Sequence, residues 1–219
     1  MKYKAVVIGA TGLVGGHLVQ YLIDDENCTE LRLIVRRKTK FEHIKIKEFQ
    51  IDFEDFNDYL KYIKGDVLFS CLGTTKSQAG SKENQYKVDY IFQFYAAKSA
   101  KQNSIKTYAL VSSPWQDINS SNYYRNMKAE LEVSIKDLHF DKTIILRPNG
   151  LVGKRELERK WEGTVSKVFD FLGLIISPLR KLKSIKGKKV AEVLWKLNYK
   201  IQKTDENLII LSRNELLTV

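Results

Sequence analysis

The chain has 219 residues, of which 43% are apolar and 11% aromatic, so it is long enough to bury one core and is not a disordered or fibrous protein. Two cysteines are too few for a disulfide framework, and no stretch approaches the ~18 apolar residues of a membrane span. The N-terminal apolar run is also too short for a secretory signal. We therefore expect one soluble domain, residues 1–219, located in the cytoplasm.

The net charge of +11 is unevenly distributed along the chain. Residues 150–203 contain 14 Lys or Arg and 5 Asp or Glu, a net charge of +9. One interpretation is a basic face for an anionic substrate or an acidic membrane surface; the other is a basic face that is merely solvated. No recognition motif accompanies this charge, so we expect no nucleic-acid partner.

Six apolar runs rich in β-branched residues predict buried strands, and segments with helical periodicity lie between them. Strands that alternate with helices indicate βαβ units, and six of them predict a doubly wound parallel sheet of the α/β class. Such sheets bind their ligand at the carboxyl ends of the strands. The predicted strands are residues 3–10, 30–36, 46–53, 66–73, 107–113 and 142–148, and the clearest helices are residues 13–24, 86–103 and 122–138.

After Pro148 the pattern is looser. We assign residues 1–148 to a cofactor-binding core and 149–219 to a small, mostly helical elaboration on the substrate side. Residues 188–202 predict an amphipathic helix, and residues 206–217 predict a final strand and a turn. Residues 168–182 combine apolar and basic side chains. They fit a lid or a dimer contact, with a membrane-surface element as the alternative.

Gly9, Gly12 and Gly15 follow the first predicted strand and open the first predicted helix. Glycine allows a sharp turn and a close approach of backbone N–H groups to a pyrophosphate, and a helix N-terminus favours negative charge. A glycine-rich turn without a ligand is the alternative. The strand before the motif and the helix after it favour dinucleotide binding.

The second strand ends in Arg36, Arg37 and Lys38, with no Asp or Glu. NAD sites usually carry an acidic residue there, which bonds the ribose 2′-hydroxyl. Guanidinium groups instead bind a 2′-phosphate, so the sequence favours NADP(H) over NAD(H). The alternative is that one of these arginines is a solvated strand end.

Ser112 and Ser113 end the fifth predicted strand, and Tyr124 and Lys128 follow on the next helix. Residues four apart lie on one helix face, so the Lys128 ammonium is near the Tyr124 phenol and stabilises its phenolate. Such a phenol serves as a proton donor or acceptor, and a serine hydroxyl orients the substrate oxygen. Tyr-x-x-x-Lys alone is a common surface pair; the glycine motif and the two serines make a catalytic interpretation stronger.

Two further residue types carry weaker signals. The three histidines are scattered and predict no metal site. Cys71, at the end of the fourth strand, is either a reactive thiol or a small buried side chain, and we favour the buried side chain.

With these motifs the chain resembles the short-chain dehydrogenase/reductase superfamily, whose fold is the Rossmann fold. The spacing of Gly9, Gly12 and Gly15 is that of its extended and atypical branches. Residues 70–90 and 140–156 resemble a small atypical branch that includes the Tat-interactive-protein oxidoreductase and its bacterial relatives. The resemblance is good over residues 3–160 and loose beyond them.

The resemblance implies a set of cofactor contacts at the carboxyl ends of the strands. Residues of the glycine motif, Gly9 to Gly15, would hold the pyrophosphate, with Thr11, Gly12, Leu13 and Val14 lying along it. At the adenosine end, Arg36 and Arg37 would meet the phosphate, and Asp52 and Phe53 would lie beside adenine. The other implied contacts are Cys71, Leu72, Gly73 and Thr74 at the ribose and pyrophosphate, and Pro148 at the loop over nicotinamide.

The resemblance also implies an oxidoreductase that moves hydride between NADP(H) and a carbonyl or hydroxyl carbon. Tyr124 would be the acid/base, Lys128 would bind the nicotinamide ribose and bias Tyr124, and Ser113 would orient the substrate with Ser112 beside it. Several atypical members bind NADP without a known reaction, so a regulatory or redox-sensing protein is the alternative. An epimerase or a dehydratase is a weaker alternative, because extended-type epimerases have a sizeable C-terminal domain and only about 70 residues follow Pro148 here. Dimers are common in the superfamily, which makes a homodimer one candidate assembly.

Overall fold

The computed structural model describes residues 2–153 and 184–219. The predicted lid or membrane-surface element at residues 168–182 therefore lies outside the described residues. Within the two described ranges, no helix is both long enough and apolar enough to cross a bilayer.

In the described part of the chain, seven parallel strands form one sheet in the order β3-β2-β1-β4-β5-β6-β9. This is the doubly wound order of a Rossmann fold with one strand added at the β6 edge. A separate pair of two-residue strands, β7 and β8, lies after β6. The strands are β1 (Tyr3–Ile8), β2 (Cys28–Val35), β3 (Ile46–Gln50), β4 (Val67–Ser70), β5 (Thr107–Val111), β6 (Lys142–Arg147), β7 (Leu151–Val152), β8 (Ile185–Lys186) and β9 (Leu208–Ser212).

Helices cover both faces of the sheet. The segment predicted as one helix over residues 86–103 begins earlier and contains a π-helical turn at Lys87–Ile91. The α-helices of the described residues are α1 (Leu13–Asp24), α2 (Phe56–Tyr62), α3 (Lys76–Ala79), α4 (Lys82–Tyr86), α5 (Phe92–Gln102), α6 (Tyr123–Lys136), α7 (Gly187–Ile201) and α8 (Arg213–Thr218).

Two hydrophobic cores lie on opposite faces of the sheet because successive strand side chains point to opposite faces. Val7 of β1 lies in the core under α1 and α7, with Leu18 and Leu194. Val6 lies in the other core, under α2, α5 and α6, with Leu131. Burial on both faces explains why these strands are continuous apolar runs in the sequence.

The described C-terminal residues belong to the Rossmann sheet itself. β9 pairs in parallel with β6, and α7 packs against α1. A Cβ on Gly187 would lie 2.6 Å from the Leu13 Cγ, so only glycine allows this approach of the two helices. The turn predicted after the last strand is wrong, because residues 213–218 form α8, whose N-terminus is closed by a capping box between Ser212 and Glu215.

Asp25 joins the first and last thirds of the chain. Its carboxylate is 6% exposed and accepts hydrogen bonds from the Tyr3 hydroxyl at 2.6 Å, the Trp195 indole at 2.9 Å and the Tyr199 hydroxyl. Burial raises the pKa of Asp25, but hydrogen bonds from Tyr199, Tyr3 and Trp195 outweigh it and hold the pKa below its ordinary value. The ionised carboxylate is therefore the form that the fold stabilises.

Candidate active site

The glycine loop lies directly against the end of β4. Gly9 has φ +81°, and a Cβ there would lie 2.5 Å from the Cys71 carbonyl carbon. A Cβ on Gly15 would lie 2.1 Å from the Gly9 carbonyl oxygen. Both positions therefore require glycine, one for its backbone conformation and one for the close packing of α1 on the loop.

The N-terminus of α1 has no side-chain cap. Gly12 is the N-cap residue, and its N–H donates to the Gly9 carbonyl at 2.9 Å. The uncapped first turn leaves backbone N–H groups for an anion, which fits the pyrophosphate of a dinucleotide. Of the predicted contacts here, Thr11 and Leu13 are half-buried, whereas the Val14 side chain is in the core, so Val14 offers only its backbone.

A cavity of about 410 Å³ lies where β2 and β3 end, and it is lined by Arg36, Gln50, Ile51 and Asp52. The structure thus brings two predicted residues, Arg36 and Asp52, together. Gln50 was not predicted. Arg37 is exposed and does not line this cavity.

Phe53, predicted beside adenine, points elsewhere. Its ring is 7% exposed and packs against Tyr59 and Phe92, with ring centres 5.7 and 5.5 Å away. Its carbonyl oxygen accepts the Tyr59 hydroxyl at 2.8 Å. Phe53 therefore belongs to the core beneath the cavity.

The end of β4 lies beside the glycine loop, where the Cys71 N–H donates to the Ile8 carbonyl at 3.0 Å. Cys71 is partly exposed and not fully buried as predicted, yet desolvation raises the pKa of its thiol to about 12, so the thiol is protonated at neutral pH. Leu72 packs against a hydrophobic core and Gly73 is exposed. The Thr74 N–H donates to Asp89 Oδ2 at 3.1 Å, which connects this loop to the π-helical turn.

Ser112 and Ser113 follow β5 and are 8% and 5% exposed. Within the described residues, neither hydroxyl oxygen has a hydrogen-bond partner. Buried polar groups are nearly always paired, so two adjacent orphaned hydroxyls point to a ligand. Pro148, which follows the neighbouring strand β6, is buried as well.

Tyr124 lies in the first turn of α6, where the Asn122 side chain caps the helix and accepts the Tyr124 N–H at 3.1 Å. Its ring is partly exposed, and the Lys128 Nζ lies 5.9 Å from the ring centre. The adjacent Tyr123 is already engaged, because its hydroxyl donates to the Lys82 carbonyl at 3.0 Å. The Tyr-Lys spacing thus brings Tyr124 together with the buried Lys128 ammonium, whereas the Tyr123 ring lies 5.4 Å from the Nζ of Lys82, which belongs to α4.

Asp89 is the functional candidate that sequence reasoning missed. Lys128 is 2% exposed, and its Nζ lies 2.8 Å from Oδ1 of the fully buried Asp89. Burial lowers the pKa of Lys128, but the charge and hydrogen bond of Asp89, together with Tyr124 and Glu132, outweigh burial, so the pKa is raised and the amine is an ammonium ion. In the sequence, a single Asp in a helical segment resembles a solvated residue. A hint was its place four residues before Gln93, another buried polar residue.

Opposite charges alternate along this face of α6. Glu132, one turn after Lys128, is 2% exposed and accepts two hydrogen bonds from Arg147, from Nε at 3.3 Å and from Nη2 at 2.6 Å. Four side chains of alternating charge therefore form a row from the end of β6 to the π-helical turn: Arg147, Glu132, Lys128 and Asp89. Among the described residues, no group of three or more His, Cys, Asp or Glu could hold a metal ion.

A family model described as NAD(P)H-binding matches residues 9–196. The chain belongs to the NAD(P)H-binding family. "Protein fmp52, mitochondrial" of Emericella nidulans is 34% identical over 184 residues, which cover 81% of this chain and 79% of that protein. "Protein FMP52, mitochondrial" of Candida albicans is 37% identical over 155 residues, which cover 68% of each chain.

Solved structures share the fold. WbmH of Bordetella bronchiseptica, in complex with NAD+, superposes with a TM-score of 0.71 at 14% identity, covering 97% of this chain and 76% of that one. A short chain dehydrogenase family protein of Francisella tularensis gives a TM-score of 0.67 at 15% identity, covering 99% and 100%. The predicted Rossmann fold is confirmed by these structures, and the family model confirms the predicted NAD(P)H-binding character of the chain. Family and fold support a nucleotide-dependent oxidoreductase.

The predicted cytoplasmic location is contradicted by the FMP52 relatives, which are named as mitochondrial proteins. The prediction rested on composition and on the lack of a long apolar stretch. Neither feature distinguishes one compartment of the cell from another.

Proposed function

We propose that this protein is an NADP(H)-dependent oxidoreductase acting on a carbonyl or hydroxyl group. The observation that carries the proposal is the buried Lys128 ammonium, held by Asp89 beside the Tyr124 ring. Burying an ion pair removes both charges from water, and their mutual attraction does not always offset that cost. A buried pair at this place therefore supports a functional role for the Lys128 ammonium. The two orphaned serine hydroxyls supply the second requirement, a place for the substrate oxygen.

The cofactor would be held by the backbone of residues 9–15 at its pyrophosphate and by the 410 Å³ cavity at its adenosine end. Arg36, with Arg37 next to it, would meet a 2′-phosphate. Gly73 and Thr74 would contact the ribose and pyrophosphate, and Pro148 would begin the loop over the nicotinamide. When bound, the nicotinamide supplies or accepts the hydride.

Tyr124 would move the proton. During reduction its hydroxyl donates a proton to the substrate oxygen, and during oxidation the phenolate takes that proton back. The Lys128 ammonium stabilises the phenolate in both directions. Ser113 would donate a hydrogen bond to the same oxygen, with Ser112 beside it. Asp89 holds Lys128 in place through the 2.8 Å ion pair and is thus a positioning residue.

The cofactor preference is tested by titrating the protein with NADPH and NADH and following the fluorescence of the reduced nicotinamide. We expect NADPH to bind much more tightly. Arg36→Gln should weaken NADPH binding about tenfold or more, because it removes a charge-assisted hydrogen bond to the 2′-phosphate, and should barely change NADH binding. Lys38→Gln is the charge-matched control. Equal binding of the two cofactors would remove the NADP assignment, and no binding of either would remove the whole proposal.

The catalytic assignment is tested by Tyr124→Phe against Tyr123→Phe, with a panel of carbonyl compounds and NADPH oxidation as the readout. Loss of a general acid costs about 10² to 10⁴ in rate, so Tyr124→Phe should lose turnover while NADPH binding persists. Tyr123→Phe should remain active. Full activity of Tyr124→Phe would contradict the assignment. Tight NADPH binding without turnover of any carbonyl by the wild type would favour the regulatory alternative.

A further inference from the structure

The segment from α4 to α5 is one continuous helix, interrupted by the π-helical turn. In this turn the Phe92 N–H donates to the Lys87 carbonyl, five residues back, whereas in an α-helix it would donate to the Val88 carbonyl, four residues back. Single π-helical turns are rare and frequently occur at functional sites. This one contains Asp89, the counter-ion of Lys128.

The Gln93 side chain donates hydrogen bonds to two carbonyls of this turn. Its Nε2 lies 3.0 Å from the Asp89 carbonyl oxygen and 3.4 Å from the Val88 carbonyl oxygen. It thus supplies a donor to the carbonyl from which the turn has moved the Phe92 N–H. Gln93 is 0% exposed, and a buried carbonyl without a donor costs free energy. The Gln93 amide therefore favours the π-helical turn over a regular α-helix.

Ser70, the last residue of β4, fixes the orientation of this amide. Its hydroxyl donates to the Gln93 Oε1 at 2.7 Å, and Ser70 is fully buried as well. In the opposite orientation the amide oxygen would face two carbonyl oxygens, and no hydrogen bond forms between acceptors. The Gln93 amide therefore connects the end of β4 to the helix, with its NH₂ group on the side of the helix.

The π-helical turn sets the direction of the Asp89 carboxylate. Its Oδ1 lies 2.8 Å from the Lys128 Nζ, and its Oδ2 accepts the Thr74 N–H at 3.1 Å. The extra residue of a π-helical turn shifts the helix register by one position, which is about 100° of rotation. Relaxation to a regular α-helix would therefore turn Asp89 away from Lys128 or Gln93 away from Ser70.

We propose that Gln93 is a positioning residue of the candidate active site: its amide stabilises the π-helical turn that directs Asp89 to Lys128. The contacts run from Ser70 through Gln93 and the turn to Asp89 and Lys128, and each of these four side chains is at most 2% exposed. Gln93 acts on Lys128 through Asp89. The inference rests on the proposed function for its effect on turnover, but the protonation of Lys128 is measured without any reaction.

The test follows the Lys128 side chain in ¹³C and ¹H–¹⁵N spectra of the full chain between pH 7 and pH 10, with Lys128→Met to assign its signal. Gln93→Met keeps the length of the side chain and removes both N–H donors. The wild-type Lys128 should stay protonated over this range. In Gln93→Met its deprotonation should move to lower pH by about one to three pH units, as in Asp89→Asn, because the opposite charge no longer faces the ammonium. Tyr124 and Glu132, which also act on Lys128, are unchanged in both variants.

Two further variants and a control separate the amide from the packing of the side chain. Ser70→Ala keeps the Gln93 donors but removes the hydroxyl that orients them, so it should shift the titration in the same direction by less. The double variant Gln93→Met/Asp89→Asn should titrate as Asp89→Asn does, because the glutamine acts through that carboxylate. Gln202→Met is the matched control, since it removes an amide hydrogen bond of 2.8 Å at the amino end of β5 and should leave the titration unchanged.

A wild-type titration of Lys128 in Gln93→Met would overturn the proposal even if the variant were less stable, because a purely structural glutamine changes only the free energy of unfolding. If Gln93→Met does not fold, a wild-type titration in Ser70→Ala overturns it. With a carbonyl substrate, Gln93→Met should lower kcat and leave the KM for NADPH nearly unchanged. NADPH added to the same samples is read at the Gly9 and Gly12 amides, so failure of the dinucleotide proposal is seen separately.

Discussion

Replacing Asp89 with Asn removes the counter-ion of a fully buried lysine while keeping the shape of the side chain. Asp89 Oδ1 lies 2.8 Å from the Lys128 Nζ, and Oδ2 accepts the Thr74 N–H. An Asn at this position satisfies one of these two donors and turns its own N–H₂ toward the other. Breaking one partner of a buried pair costs about 3–5 kcal/mol, and we expect about 3 because Asn remains an acceptor.

The assay is urea unfolding at pH 7 followed by tryptophan fluorescence, with a thermal melt alongside. A loss of about 3 kcal/mol lowers the melting temperature of a chain of this size by roughly 6–12 °C. Glu192→Gln is the matched control, because Glu192 pairs with Lys196 at 2.7 Å but both groups are solvated. That exposed i,i+4 pair contributes no more than about 0.5 kcal/mol.

The pH dependence gives a second check with a definite sign. In the wild type the pKa of Lys128 is raised above its ordinary value, so the pair is intact throughout neutral and mildly alkaline pH. Without Asp89, burial is the largest influence that remains, and we expect it to lower the pKa of Lys128 against the weaker effects of Tyr124 and Glu132. The unfolded variant then binds more protons than the folded one, so its stability rises with pH. The difference in free energy of unfolding between the wild type and Asp89→Asn should therefore become smaller from pH 7 to pH 9. The reasoning fails if Asp89→Asn lowers the free energy of unfolding no more than Glu192→Gln does, or if that difference does not change with pH.

Three further substitutions or treatments have definite expected outcomes. Gly15→Ala should lower the free energy of unfolding in urea by about 1–3 kcal/mol, because its Cβ would lie 2.1 Å from the Gly9 carbonyl oxygen. A Cβ on Gly150 would meet nothing within 4 Å, so Gly150→Ala should change the free energy of unfolding little. Equal effects of the two substitutions would contradict the packing argument. The pKa of Asp25 is lowered, so the ionised carboxylate stabilises the fold above about pH 4, and this stabilisation is lost as the pH falls. In Asp25→Asn the melting temperature should depend less on pH between pH 5 and pH 2. The same pH dependence in the variant and the wild type would contradict this prediction. Cys71 is partly exposed, but its thiol has a pKa raised to about 12 by desolvation, so it should react slowly with a thiol reagent at pH 8 and faster once urea unfolds the chain. Rapid reaction of the native protein would refute the interpretation of Cys71 as an unreactive, protonated thiol.

The elements of this fold could be predicted because each one carries a local pattern. α1 occupies Leu13–Asp24, the segment that its helical periodicity predicts. The strand ends were less accurate: β4 ends at Ser70, whereas the apolar run continues to Gly73. The backbone of Cys71 and Leu72 passes close to Gly9, and the Leu72 side chain packs against a hydrophobic core. Apolar character alone could not distinguish residues 71–73 from a strand.

The candidate site was predictable only in part, because its charges pair across long stretches of sequence. Tyr124 and Lys128 lie four residues apart, which a helix turns into a contact. Asp89 pairs with Lys128 across 39 positions, and Glu132 pairs with Arg147 between two different elements. No local pattern contains such a pairing, so both acids resembled ordinary solvated residues.

The contact between α1 and α7 has a consequence for synthesis on the ribosome. α7 (Gly187–Ile201) packs beside α1 on one face of the sheet and contacts β5 and β6 as well. At about 5–20 residues per second, roughly 8–33 seconds separate the completion of α1 from the start of α7. During that interval the apolar side chains of α1 that face α7 have no partner helix. A nascent chain of this protein should therefore be a chaperone client until its last quarter is translated, and truncation before α7 should yield an aggregating fragment.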